Sequence, residues 1–410
     1  MTREDIEGAA TDSRALAVLE VFLIVLLFAA NARWSAPDGN ETYYLGKAKH
    51  FWDPSWGRGV LFLESRNAHT VFYVAFGWLS RLVSLTAAAW IIRGCTWSLL
   101  AVAWQRLSYA VIPRRGWAVL SAGLLVAMNE RANMGGEWIV GGAEAKGLAY
   151  ALMFFALWRL VRNDWNRVWP LLGCAVSMHP LVGGWAFAGV GLVWLSGPRE
   201  PAQHPLPILA GILLALPGLW WALALNAGTP PSVVHRAAEI MVFERAPHHL
   251  LPQAFSTEAV FRQVGLWVLL AVLLIFKHPF PAGVAHLQRF ALVTMLIAAT
   301  GFLISVLTRS RPDIEATLLQ YYWFRLSDAV VPAVLVLTTL YVLARGRRSH
   351  PRLGLALLTG LILVATLHLF DRTRRIQSAK APRSDWLLTD PVAWRDVCAW
   401  ARVHTPEAAC

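Results

Sequence analysis

Carboxylates, cations and histidines crowd into three interruptions of an otherwise apolar chain. The first is SAPDGNETYYLGKAKHFWDPSWGRGVLFLESRNAH, residues 35–69. Asp38 or Glu41 could take a proton from a hydroxyl. Lys47, Lys49 and Arg58 could hold the charge of a phosphate group. Trp52 and Trp56 add flat rings suited to the C–H face of a sugar. The turn residues Pro37, Gly39 and Asn40 predict a helix starting near Glu41, capped by Asp38 or Asn40 and ended by Asp53-Pro54. The same pattern also suits an interfacial helix whose lysines reach toward lipid headgroups.

The second interruption, MGGEWIVGGAEAKGLAY (134–150), places Glu144 and Lys146 at the mouth of a helix. Charge at such an entrance is costly in a membrane, so it points to function, or to an acid complementing the helix dipole. The third spans residues 226–255 and contains EIMVFERAPHHLLP (239–252). His248 and His249 are expected on non-helical backbone as hydrogen-bonding groups for a phosphate or sugar hydroxyl, or as packing and capping residues. Adjacent histidines diverge in an extended chain, and neither HExxH nor a carboxylate facial set is present, so the pattern gives no metal site. In YYWFRLSDAVVP (321–332) Arg325 and Asp328 share a helical face, either paired with one another or with Arg325 on a ligand. His179, in MHPLVGG, could face the same cavity as Glu144 or be satisfied by backbone groups.

The elements that must position these groups are membrane helices. Hydrophobic residues make up 57% of the 410 and charged residues 15%, against about 25% charged in soluble domains. Runs such as 16–32, 206–225, 264–276, 290–307 and 353–370 approach the roughly 20 apolar residues that span a bilayer. They are continuous rather than alternating, which predicts helices and excludes a barrel. The fold class is all-α: a polytopic helical membrane protein of about ten or eleven membrane helices with short outer amphipathic helices. The net charge of +12 is spread over many short loops rather than one face, which fits the positive-inside bias and gives no nucleic-acid surface.

Basic loops at 159–167, 276–281 and 344–352 read as cytoplasmic. Residues 1–14 then form a cytoplasmic tail, 15–370 the membrane domain, and 371–410 a short polar tail outside. Outer loops fall at 33–70, 129–146, 226–258 and 308–320. The parity requires residues 168–196 to be two short helices broken near His179-Pro180. Residues 71–85 hug the interface or dip into the membrane, and 87–107 cross. Acids preceding the first apolar run argue for an uncleaved helix over a signal peptide. Cys95 and Cys174 are expected buried, while Cys398 and Cys410 could pair if the tail is outside; no CxxC is present.

This organisation resembles the GT-C superfamily of membrane glycosyltransferases, on the outer loop PDGNETYYLGKAKHFWDP that follows the first helix. The resemblance implies a polyprenyl-phosphate-linked sugar as donor, an unknown acceptor, and Asp38 or Glu41 as general base of an inverting displacement. Lys47, Lys49, Trp52, Glu144, Lys146, His179, His248, His249, Arg325 and Asp328 would bind substrate or phosphate, with a divalent metal left open. NETYYLGKAKHFWDPSW, GGAEAKGLAY, HPLVGGW, RAPHHLLP and YYWFRLSDA also look like an uncharacterised family of bacterial multi-pass proteins. Its members continue into a tail beginning much like WRDVCAWARVHTPEAA (394–409), so an outer C-terminal domain would be missing or shortened. The implied location is a bacterial cytoplasmic membrane, N-terminus inside, with membrane lipids as partners. A transporter or flippase of a lipid-linked or anionic solute is the alternative, as is a non-catalytic scaffold.

Overall fold

The structure, a computed structural model, describes residues 3–197, 205–275, 280–346 and 349–378, together with 396–397, 399–400 and 403–404. The described residues are helical, with turns and no strand. The chain enters with α1 (Arg3–Ala32), and its first loop carries α2 (Glu41–Trp52), α3 (Leu61–Glu64) and α4 (Thr70–Phe76). Next come α5 (Leu85–Val111), α6 (Trp117–Ala132), α7 (Ala145–Val161), α8 (Trp165–Met178), α9 (Pro180–Ser196) and α10 (Leu206–Leu223). The short α11 (Pro231–Glu239) and α12 (Pro247–Leu250) precede α13 (Thr257–Ile275) and α14 (Ala282–Thr308). Finally α15 (Pro312–Leu319) leads to α16 (Arg325–Gly346) and α17 (Pro351–Ser378).

Seven of these are long and apolar enough to cross a membrane: α1 from Arg14, α5, α10 with the turn after it, α13, α14, α16 and α17. The chain is a multi-pass helical membrane protein. α16 is the central helix, with 89% of its apolar window buried, against 11% for α13 and 17% for α10 and α17, which face outward. A helix apolar on all sides belongs in such a centre. α6, α7, α8 and α9 are shorter, and α7 is buried along nearly its whole length.

The break expected at His179-Pro180 is present. His179 leaves helical geometry at φ −145° and ψ 99°, and its Nδ1 accepts the Val182 amide at 3.2 Å, capping α9. The chain can then fold back because Gly183 has no side chain; a Cβ there would lie 2.1 Å from the Val176 nitrogen. α10 crosses α8 equally closely, a Cβ on Gly173 lying 2.1 Å from the Gly211 carbonyl oxygen.

Two sequence expectations change. α17 continues through the basic stretch after residue 370, because Arg372 finds partners on other helices: its Nε donates to the Asn31 carbonyl at 2.9 Å, and its Nη1 meets Glu130 at 2.6 Å. Cys95 is exposed and Cys174 half-buried, since both face away from the packed side of their helices. The proposed Cys398–Cys410 pair lies outside the described residues.

The ends of α1, α6 and α17 and the starts of α7, α9 and α16 gather at one end of the bundle, the loop end, together with α2–α4, α11, α12 and α15. Gly173→Leu would force a side chain into the α10 backbone. It is expected to destabilise the fold by at least about 1–3 kcal/mol, the usual cost of overpacking, seen as a lower melting temperature in detergent; an unchanged Tm would contradict the close crossing.

Candidate functional site

Two cavities open side by side at the loop end. The first, of ≈ 630 Å³, is cation-rich: Lys47, Arg66, Lys146, Arg245 and Arg325 line it against the single carboxylate Glu144. Tyr43, Tyr44, Tyr73, Tyr321, Tyr322 and Phe62 form an aromatic wall, with His69 and His179 among them. The second, of ≈ 530 Å³, is acidic: Asp38, Glu130, Glu137 and Glu144 line it with Arg93, Arg372, His248 and His249. Both are within the usual size of ligand sites. Asn40 and Glu144 line both cavities.

Helix starts add to the positive field of the first cavity. α7, α9 and α16 begin beside it, and the N-terminal end of each helix dipole favours an anion. Lys47 and Arg325 are held rather than loose. Lys47 Nζ donates to the Ser65 carbonyl at 2.5 Å and hydroxyl at 2.8 Å. Arg325 stacks its guanidinium 3.9 Å from the Tyr322 ring centre and pairs through Nε with Glu137 at 2.7 Å.

Glu137 is the buried hub between the cavities. Besides Arg325 it accepts the Tyr150 hydroxyl at 3.0 Å, and Lys146 Nζ lies 3.6 Å away. Lys146 is also 3.8 Å from Glu144 and 3.1 Å from the Trp138 ring centre. Buried charges persist only when paired in this way, because removing either partner strands the other in a low-dielectric interior. The sequence alone assigns no role to Glu137.

Glu41 takes a different place from the one expected. It is fully buried and lines neither cavity. Arg93 donates to its two oxygens at 2.7 and 2.6 Å, and the Ala143 and Asp38 amides donate at 2.5 and 2.7 Å. All its acceptor capacity serves to join the first loop, α5 and the α6–α7 loop. Asn40 makes no side-chain cap on α2; the Glu41 carboxylate instead reaches back to the Asp38 amide ahead of the helix.

Three further expectations are corrected. Arg325 and Asp328 do not pair: Asp328 is fully buried and accepts the Met134 and Gly135 amides at 3.1 and 2.7 Å. Lys49 and Trp52 leave the site because they lie on the other face of α2. Lys49 stacks 4.5 Å from the Trp56 ring centre, and Trp52 donates to the Tyr73 carbonyl at 2.8 Å. His248 and His249 lie on the helical turn α12, with their ring centres 4.1 Å apart. His249 Nδ1 donates to the Gly135 carbonyl at 2.6 Å, which pins the α6–α7 loop. Lys47, Lys146, His179 and Arg325 thus meet at one cavity, Asp38, His248 and His249 at the other, and Glu144 at both.

Tyr44, His69, Arg93, Arg245 and Arg372, which carry no candidate role in the sequence analysis, complete the set. Tyr44 Oη and His69 Nε2 are 3.2 Å apart, and the His69 and His179 rings are 4.8 Å apart. Burial lowers the pKa of His69 to about 4, and burial likewise lowers His249 to about 4. Both are therefore neutral hydrogen-bonding groups near pH 7, and the charge of the cation-rich cavity comes from its lysines and arginines. Among the described residues no three His, Cys, Asp or Glu side chains converge to hold a metal ion. Comparison with protein-family models, with curated proteins and with solved structures gives no match.

Glu41→Gln is expected to destabilise the protein by about 3–5 kcal/mol, because Arg93 would be left buried without a counter-charge. Adding Arg93→Met should recover much of that loss in thermal melts, and an unaffected single variant would contradict the buried pair. The histidines set a pH dependence. With native pKa values near 4 against an ordinary 6.5, the unfolded chain binds more protons between those limits, so stability rises with pH across that window. Melting temperature should fall on acidification from pH 7 to 4, and His69→Asn should flatten that slope; an unaltered slope would contradict the assignment.

Proposed function

We propose that this protein is a membrane glycosyltransferase that moves a sugar from a polyprenyl-phosphate carrier to an acceptor hydroxyl at the loop end. The single observation that supports this reading most is the pair of adjoining cavities of opposite character that share Asn40 and Glu144. The phosphate of the donor suits the cation-rich cavity, where Lys146, Arg245 and Arg325 would stabilise the charge that develops on a leaving phosphate. The aromatic wall suits the C–H faces of the sugar and the first carbons of the lipid. The acceptor suits the acidic cavity, whose carboxylates and histidines are hydrogen-bonding partners for hydroxyls. Asp38 is the first-loop carboxylate that faces the acceptor there, while Glu41 holds the loop together.

In this reading the loop end is the outer face of a bacterial cytoplasmic membrane, with the N-terminus inside, so that a lipid-linked donor enters from the outer leaflet. Three helix starts at the donor cavity give the bound phosphate a fixed field that needs no rearrangement during transfer. A flippase or transporter of a similar anionic lipid would use the same cation-rich cavity, and covalent product distinguishes the two.

The test is a transfer assay. The protein in lipid nanodiscs is incubated with polyprenyl-phosphate sugars and hydroxyl acceptors, and released polyprenyl phosphate and glycosylated product are followed by mass spectrometry. Transfer is expected, with Arg245→Gln raising the donor KM about tenfold or more and Asp38→Asn lowering kcat/KM by a similar factor, as for loss of a charge-assisted hydrogen bond of about 1.5–3 kcal/mol. Lipid flux across proteoliposomes without covalent product would overturn the transferase reading.

A further inference from the structure

The carboxylates of the loop end differ in how far their charge is already engaged. Glu41 is held by Arg93, Glu137 by Arg325 and Glu130 by Arg372, and Asp328 accepts two backbone amides. Glu144 meets no arginine. Its closest ion-pair partner is Lys146 at 3.8 Å, a cation also drawn to Glu137 and to the Trp138 ring. It occupies the N-cap position of α7, yet its side chain caps no amide there. The side chain is buried, with 5% of the residue exposed, and it reaches both cavities, whereas Asp38 lines the acidic cavity alone. Asn40, the other shared residue, has no group that titrates.

A group that passes between two cavities must do so where they meet. Resting on the transferase reading, we infer that Glu144, at the junction of the two cavities, takes the proton of the acceptor hydroxyl, while Asp38 holds and orients the acceptor. The acceptor oxygen forms its bond to the anomeric carbon as the bond from that carbon to the phosphate oxygen breaks. The electron pair leaves with the phosphate into the cation-rich cavity, and the acceptor proton goes to the Glu144 carboxylate. It returns to water through the acidic cavity, and the carboxylate is restored for the next turn.

The surroundings suit a base. Burial, first of all, raises the Glu144 carboxyl above its ordinary value, Glu137 and Glu41 push in the same direction, and Lys146 and Asn40 oppose them. A base tuned toward the working pH is the more effective proton acceptor. The groups around it are Lys146 on α7, Glu137 on the preceding loop, Glu41 and Tyr44 on α2, and Arg325 on α16. Asp38, Arg372, His248 and His249 line the acidic cavity with it.

The experiment compares kcat/KM against pH for wild type, Glu144→Gln, Glu144→Asp and Asp38→Asn in nanodiscs. Donor binding is read separately by quenching of tryptophan fluorescence with polyprenyl phosphate. Glu144→Gln is expected to lower kcat by about 10²–10⁴, the usual contribution of a general base, to lose the acid limb of the profile, and to keep its affinity for polyprenyl phosphate. Glu144→Asp should retain part of the rate with a displaced acid limb, which keeps the test open if the glutamine variant fails to fold. Asp38→Asn should keep the acid limb and lose rate mainly through the acceptor KM. Glu144 variants that retain the limb and wild-type kcat, with the limb lost in Asp38→Asn, would overturn the inference while leaving the transferase reading intact. A wild-type protein that transfers from no polyprenyl-phosphate donor overturns both.

Discussion

The loop end is organised around one buried contact, the bidentate pairing of Glu41 with Arg93. It places a first-loop carboxylate against an arginine on a membrane helix, with both side chains almost wholly out of water. Such a pair survives because each remaining acceptor position is filled, here by the Ala143 and Asp38 amides. The consequence is positional. α2 is fixed over α5, Asp38 is turned into the acidic cavity, and Glu144, next to Ala143, is set at the junction. Arg93 also donates to the Trp34 carbonyl at 2.5 Å, so the chain leaving α1 is held by the same side chain.

From that anchor the electrostatics of the two cavities follow. Helix starts and five cations surround one space, while four carboxylates surround the other, and Glu137 lies between them as counter-charge to Arg325 and Lys146. The α6–α7 loop that carries Glu137 and Glu144 is tied down on several sides. Asp328 takes the Met134 and Gly135 amides, His249 donates to the Gly135 carbonyl, and Asn129 donates to the Glu137 carbonyl at 3.2 Å. Preorganisation of this kind matters for transfer chemistry, since groups already aimed at developing charge require no rearrangement when it forms.

Much of the frame was legible in the residues. Continuous apolar runs gave the helices, Asp53-Pro54 the end of α2, and His179-Pro180 the break between α8 and α9. The site was legible in part. Tyr43, Tyr44 and Lys47 share a face of α2 and do meet at the cavity, whereas Lys49, about 200° further round at 100° per residue, could have been excluded by the same periodicity. The role of Glu41 was hidden because its partner stands 52 residues away in a different helix. Arg93 itself carried a signal: an arginine within AAAWIIRGCTWSLL is costly enough in a membrane to demand a named partner. Arg325 and Asp328 misled because their spacing permits a pair, while nearby groups from the α6–α7 loop supply each with a closer one.

The central proposal is that one cavity takes a lipid-linked phosphate and the other an acceptor, with Glu144 between them. Its most direct measurement is a cryo-EM structure of the protein in nanodiscs with a non-cleavable phosphonate analogue of a polyprenyl-phosphate sugar. Phosphonate density is expected among Lys146, Arg245 and Arg325, with the sugar ring directed toward Glu144 and the acidic cavity. Phosphonate density in the acidic cavity, or density that leaves both cavities empty at saturating analogue, would contradict it.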